Sequence, residues 1–388
     1  MRRSTRHLFQ HGVAVLLIAF PLFFCMPAMA GKGHPYRIVA YTTGWNASEN
    51  AQLGKIDTLI FAFATISDGR VVLDDDAGRK LDRIIALKPA HPDVKVVISV
   101  GGWGAGGFSE AAGTAAGRRE FADSATRLVV AHHADGLDVD WEYPGHHESG
   151  IRSSPQDRAN FTLLLEAVRA SLDRAGARGT RTGHDRYTLS AAVADGPFVS
   201  GVDIAAIAPL LDWFNLMTYD FVNSMMPTTG HHTALHLSGL GPDDTRTADR
   251  AVRQFLAAGV PSRKLLIGVA MYGREFDEVR AAHEGLYQPY GRYGGEHPWP
   301  DLKRDFIDRN GYARYWDAVA EAPWLWNPRT RTFISYDDPE SIAAKAAYVR
   351  AQHLGGIMYW EQQQDPGGEL LDAIWRGLHA PQPQAQRN

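Results

Sequence analysis

Four acids fall within the eight residues Asp135-Gly136-Leu137-Asp138-Val139-Asp140-Trp141-Glu142. On a strand, side chains two apart share a face, so Asp138, Asp140 and Glu142 line up on one side while Leu137, Val139 and Trp141 face the other. Burying three like charges on one face is costly, and the row carries no basic partner or further metal ligand to offset it. Its chemistry is therefore proton transfer. Glu142, at the end of the run, is the candidate proton donor. Asp138 and Asp140, about 6.6 Å apart along the strand, are expected to share a proton. Other residues could support such a row. Ser99 offers a hydroxyl, Gly101 and Gly102 allow close backbone approach, and Tyr219 and Asp220 place a phenol and a carboxylate at the end of another apolar run. Most of the ten tryptophans are expected in packing, but Trp360, Trp45 and Trp103 follow run ends, where a flat ring can serve as a platform. His231, His232 and His236 have the spacing of a helical zinc site without its glutamate, and they follow Gly230 in a stretch read as a loop. No metal or cofactor is expected. Asp74-Asp75-Asp76 reads as a solvated helix start.

Eight apolar runs could position these groups: Tyr36 to Thr42, Ile56 to Ala64, Val94 to Val100, Gly136 to Trp141, Tyr187 to Val193, Trp213 to Tyr219, Leu265 to Met271 and Gly356 to Trp360. Between them lie amphipathic stretches with helical spacing, among them Arg118 to His133, Pro155 to Ala175, Thr247 to Ala258 and Ser341 to His353. This alternation predicts an α/β fold, the (β/α)8 TIM barrel, with the acid row leading to the C-terminal mouth where barrel active sites lie. The rhythm breaks once. From Tyr272 to about Ser335 the chain is rich in Gly, Pro, Tyr and Trp, which predicts a small α+β insertion after strand seven.

The 388 residues are 45% apolar and 22% charged, which suits a large globular core and excludes a disordered or disulfide-scaffold chain. A net charge of -4 gives no basic surplus for nucleic acid. Residues 1–30 read as a signal peptide: Arg2, Arg3 and Arg6, then an apolar run from Val13 to Phe24, then Ala28-Met29-Ala30 as the cleavage site. The run is too short for a membrane anchor. Cleavage near Ala30 removes Cys25, the chain's single cysteine, and takes the net charge to -7. The expectation is a secreted or periplasmic protein, monomeric, with a disordered tail over 381–388.

The motifs together resemble those of the family 18 glycoside hydrolases, the chitinases. Asp135 to Glu142 fits that family's DxxDxDxE signature, Ser99-Val100-Gly101-Gly102 its SxGG element, Met217-Thr218-Tyr219-Asp220 its MxYD element, and Tyr272-Gly273-Arg274 the YGR that opens its insertion domain. Gly355 to Trp360 is similar to its strand-eight segment, and His231-His232 with Leu235 to a metal-free loop motif. Ala270-Met271 departs from the usual proline and aromatic. The resemblance spans Tyr36 to Trp375 and implies a catalytic barrel over 31–380 interrupted by an insertion domain over 273–335. It implies hydrolysis of β-1,4-linked N-acetylglucosamine polymers by a retaining, substrate-assisted route, with Glu142 as proton donor and the substrate's acetamido group as nucleophile. Asp140 would hold the acetamido N–H, Tyr219 would donate to its oxygen, and Asp138 would tune Asp140. Trp360, Asp220, Met217, Arg274, Tyr272, Trp103, Trp45 and Tyr143 would contact substrate, and Ser99, Gly101, Gly102 and Asp135 would support the row. The partner is chitin or its oligosaccharides. Two alternatives share the barrel: an endo-β-N-acetylglucosaminidase acting on N-glycan chitobiose cores, and a non-hydrolytic chitin-binding lectin. The insertion speaks against the first and Glu142 against the second.

Overall fold

The computed structural model describes residues 35–380. The signal peptide and tail expected from the sequence lie outside the described residues. Each of the eight apolar runs forms a parallel strand: Arg37–Thr42, Thr58–Ser67, Lys95–Gly101, Gly136–Asp140, Thr188–Val193, Trp213–Leu216, Leu265–Ala270 and Gly356–Trp360. Each pairs with the next and the eighth with the first, so the sheet closes into the (β/α)8 barrel. Alternation sorts the side chains. Ile38 and Ala40 enter the layer between strands and helices, while Val39 and Tyr41 fill the interior. Strand six ends at Leu216 and not at Tyr219. The Thr218 N–H turns back to the Leu216 carbonyl at 2.8 Å, and Asp220 takes a left-handed φ of +56°. Tyr219 and Asp220 therefore stand on a curl at the mouth.

The four amphipathic stretches form helices Ala115–Ala131, Asp157–Arg178, Ala248–Ala257 and Pro339–Ala351. Three of the four start at a side-chain cap rather than by apolar period: Thr114, Thr247 and Asp338 side chains each accept a backbone N–H of the first turn. Asp74 does the same for helix Asp75–Ile85, so the triple aspartate begins a helix as expected. No described helix is long and apolar enough to cross a membrane.

Between strand seven and helix Pro339–Ala351, strands Tyr272–Asp277, Arg292–Pro298, Ala313–Asp317, Ala322–Asn327 and Thr332–Ser335 form an antiparallel five-stranded sheet. Phe276, Trp324, Trp326 and Phe333 are buried on it with Val222 from the loop after strand six. Its helical content is small, the short turns Ala282–Gly285, Trp299–Asp301 and Leu302–Phe306.

Candidate active site

Asp138 is fully buried, and four side chains converge on its carboxylate. The Tyr41 hydroxyl and Ser99 Oγ donate to Oδ2 at 2.9 and 2.8 Å, and Ser190 Oγ and Asn215 Nδ2 donate to Oδ1 at 2.6 and 3.2 Å. Register accounts for the serines, since Ser99 and Ser190 lie directly beside Asp138 on the flanking strands. Burial pushes the Asp138 carboxyl up while these donors pull it down, and burial prevails.

One level higher, Asp140 is also buried, yet its Oδ1 has no hydrogen-bond partner among the described residues. Burial, then the charges of Glu142 and Asp138, push its carboxyl well above the ordinary range. Asp138 takes donors from strands one, three, five and six, whereas Asp140 Oδ1 has none among the described residues. The glycines keep the backbone tight here. Gly101 has φ +123°, and a Cβ there would sit 2.0 Å from the Asp140 carbonyl oxygen; at Gly102, φ +92°, it would meet the Phe63 ring at 2.6 Å. Gly102 N–H donates to the Asp140 carbonyl at 2.9 Å.

Glu142 is half-buried just beyond strand four. Burial pushes its carboxyl up to about 7; the neighbouring Tyr143 hydroxyl pulls the other way, and the Asp220 charge adds to the rise. Tyr219 is buried beside these acids, and burial and their charges keep its hydroxyl protonated. That hydroxyl lies 3.8 Å from Met358 Sδ. Met217 packs in the same interior group, with Trp360 stacked on Phe63 at 5.6 Å and tilted against Tyr41.

Asp220 belongs to a second set. Its Oδ1 accepts from the Tyr272 hydroxyl at 2.6 Å and from Arg274 Nε at 2.5 Å, with His232 Nδ1 at 3.5 Å. Burial alone would raise its carboxyl, but His232 and Arg274 beside it outweigh burial and hold it well below the usual range. Arg274 also pairs with Glu296 at 2.9 Å, so its charge is matched by acids within the protein. The three histidines separate: His231 faces Asp317 at 3.3 Å, His232 faces Asp220, and His236 lies 3.7 Å from Glu321. No set of three metal-ligating side chains comes together among the described residues.

Of the aromatic candidates, Trp103 is 53% exposed with its edge toward Tyr143 at 6.2 Å, which places both beside Glu142. Trp45 packs instead against the layer between strands and helices, and the structure does not bring it into the interior aromatic group. Asp135 sits at the opposite end of strand four from Glu142, paired with Lys88 at 2.6 Å and Arg181 at 3.0 Å. Sequence reasoning missed Tyr41, Ser190 and Asn215. Each is a polar side chain at an inward position of an otherwise apolar strand, and a buried polar group without a local partner must find one across the barrel.

The raised carboxyl of Glu142 thus stands just past strand four of a closed parallel barrel, at the end where barrel active sites lie, beyond the buried Asp138 and Asp140. The chain belongs to the glycosyl hydrolases family 18, whose model matches residues 37–365. It is 34% identical to chitinase A1 of Niallia circulans, covering 94% of this chain and 61% of that longer protein. It is 30% identical to chitinase B of Serratia marcescens, over 79% of this chain and 72% of that one. Among solved structures, a family 18 N-acetylglucosaminidase from Paenibacillus barengoltzii matches with a TM-score of 0.82 at 41% identity, over 88% of this chain and 99% of that one.

Proposed function

We propose that this chain is an exported chitinase that hydrolyses β-1,4-linked N-acetylglucosamine polymers with retention of configuration. The observation that carries the mechanism is the free, buried acceptor on Asp140, set near Glu142 and Tyr219. An unpaired acceptor in such a place calls for a donor from the substrate, and the N–H of a 2-acetamido group is one. Glu142, its carboxyl raised to about 7, holds a proton for the glycosidic oxygen at neutral pH and below. As that proton transfers and the C1–O bond breaks, the acetamido oxygen bonds to C1, giving an oxazolinium ion. The Tyr219 hydroxyl steadies that oxygen. The acetamido N–H favours the Asp140 carboxylate, whose proton passes to solvent as the substrate seats, and that charge then offsets the positive charge that develops. Water then adds to C1 as the bond from C1 to the acetamido oxygen breaks and the acetamide is restored, the water losing its proton to the Glu142 carboxylate. The sheet over 272–335 is read as the family's insertion domain, and residues 1–30 as the export signal.

Partially deacetylated chitosan tests where the nucleophile lies. If the acetamido group attacks, removing it forfeits an intramolecular advantage of about 7 kcal/mol or more, roughly five orders of magnitude in rate. New reducing ends should then be N-acetylglucosamine alone. NMR of the product ends decides it, and an appreciable share of reducing-end glucosamine would overturn the mechanism.

A further inference from the structure

From Tyr143, the residue after the proton donor, runs a column of rings built from three loops. Tyr143, after strand four, stacks on Phe198, after strand five, with centroids 4.3 Å apart and planes 29° from parallel. His146 meets Phe198 edge-on at 5.3 Å. The Arg246 guanidinium, from the loop after strand six, lies over Phe198 at 5.5 Å and over Phe221 at 5.0 Å. Arg246 is itself fixed. Its Nε donates to Asp195 Oδ1 at 2.7 Å, and both side chains are nearly buried, 14% and 4% exposed. It immediately precedes Thr247, the cap of helix Ala248–Ala257.

Tyr143 directly follows Glu142, so a ring held in one plane here restrains the residue next to the proton donor. The plane of Tyr143 is set by Phe198, and the plane of Phe198 by Arg246 and His146. We propose that Arg246, held by Asp195, is a positioning residue for the leaving-group side of the reaction, acting through Phe198 on Tyr143 and so on the proton donor. The proposal rests on the reading of Glu142 as that donor. Proton donation and the seating of the departing sugar are the steps it governs; attack at C1 on the opposite side of the bond is not.

That difference gives a readout that general loss of structure would not reproduce. An N-acetylchitooligosaccharide needs a proton on its departing sugar, whereas a dinitrophenyl N,N′-diacetylchitobioside releases a phenolate that does not. Arg246→Ala should lower kcat/KM on the oligosaccharide by about tenfold or more and on the dinitrophenyl glycoside by no more than about threefold. Phe198→Leu keeps the Asp195 pair and removes only the stack; it should show the same split, and it decides the matter if Arg246→Ala does not fold. Equal losses on the two substrates, or none, would overturn the proposal. Glu142→Gln serves as the reference. If that variant shows no split, the assignment of Glu142 fails; if it splits while Arg246→Ala and Phe198→Leu do not, only the positioning role fails.

Discussion

Glu142 is balanced between opposing influences, which makes its protonation adjustable in both directions. Burial raises it most, the Tyr143 hydroxyl favours the charged form, and the ionised Asp220 disfavours it. Only the protonated form can donate, so activity on chitooligosaccharides should fall as pH rises through about 7. The signs for two variants follow. Asp220→Asn removes a negative charge, lowers the donor and moves the alkaline limb of kcat/KM to lower pH. Tyr143→Phe removes the hydroxyl that favours the carboxylate, raises the donor and moves the same limb to higher pH. Shifts of both limbs in one direction would contradict this account. Glu142→Gln removes the transferable proton with little change of volume, and turnover should drop by at least roughly 10²- to 10⁴-fold while oligosaccharide affinity, measured by calorimetry, persists.

At the scale of elements, the lower mouth of the barrel shows how the strands are held in register. Asp57, Asp135 and Asp212 stand just before strands two, four and six, and each accepts the backbone N–H of the preceding strand's early residue: Ile38 at 2.8 Å, Val96 at 2.9 Å and Leu189 at 2.8 Å. Arg37 and Lys95, opening strands one and three, lie among them, with Arg186 bonded to Asp212 at 2.5 Å. Asp135 thus belongs to an ionic ring remote from the chemistry, although it heads the acid motif. Replacing it by alanine strands Lys88, Arg181 and the Val96 N–H. Stability should fall by about 2–4 kcal/mol, read from denaturant midpoints, while kcat changes little. A matching collapse of kcat in the folded variant would place Asp135 in the site instead. The strands were legible because runs such as Val94 to Val100 are too apolar to lie anywhere but inside. Their ends were not, because Thr218 and the capping aspartates obey local hydrogen bonding that hydropathy does not register. The acid row was legible through its period of two, and Arg246 was not, because nothing near it in sequence tells that Phe198 and Phe221 will lie beneath it.

Across the whole molecule, the barrel and the five-stranded sheet are joined through buried polar contacts as well as apolar ones. His232 N–H donates to Ser335 Oγ at 2.9 Å, Tyr272 and Arg274 of the sheet hold Asp220 of the barrel mouth, and Val222 enters the sheet's core. Where the chain returns to the barrel, Asp337 and Lys345 form a pair with no exposure, 2.6 Å apart. Asp337 also accepts from Thr233 Oγ1 at 3.0 Å and from the Ala270 N–H at the end of strand seven, at 3.2 Å. Burial lowers the Lys345 ammonium from its ordinary range while Asp337 opposes that shift, so the ion depends on its partner. A buried pair of this kind contributes little net stability over an apolar substitute, but breaking it leaves one uncompensated charge. Lys345→Met alone should therefore cost about 3–5 kcal/mol, and adding Asp337→Val should return much of that loss. Because the pair ties strand seven, the loop after strand six and helix Pro339–Ala351 at the foot of the sheet, the loss should lower one shared calorimetric transition. A first, separate melting of the sheet in the single variant, with the barrel transition unmoved, would show that the two parts do not fold as one unit.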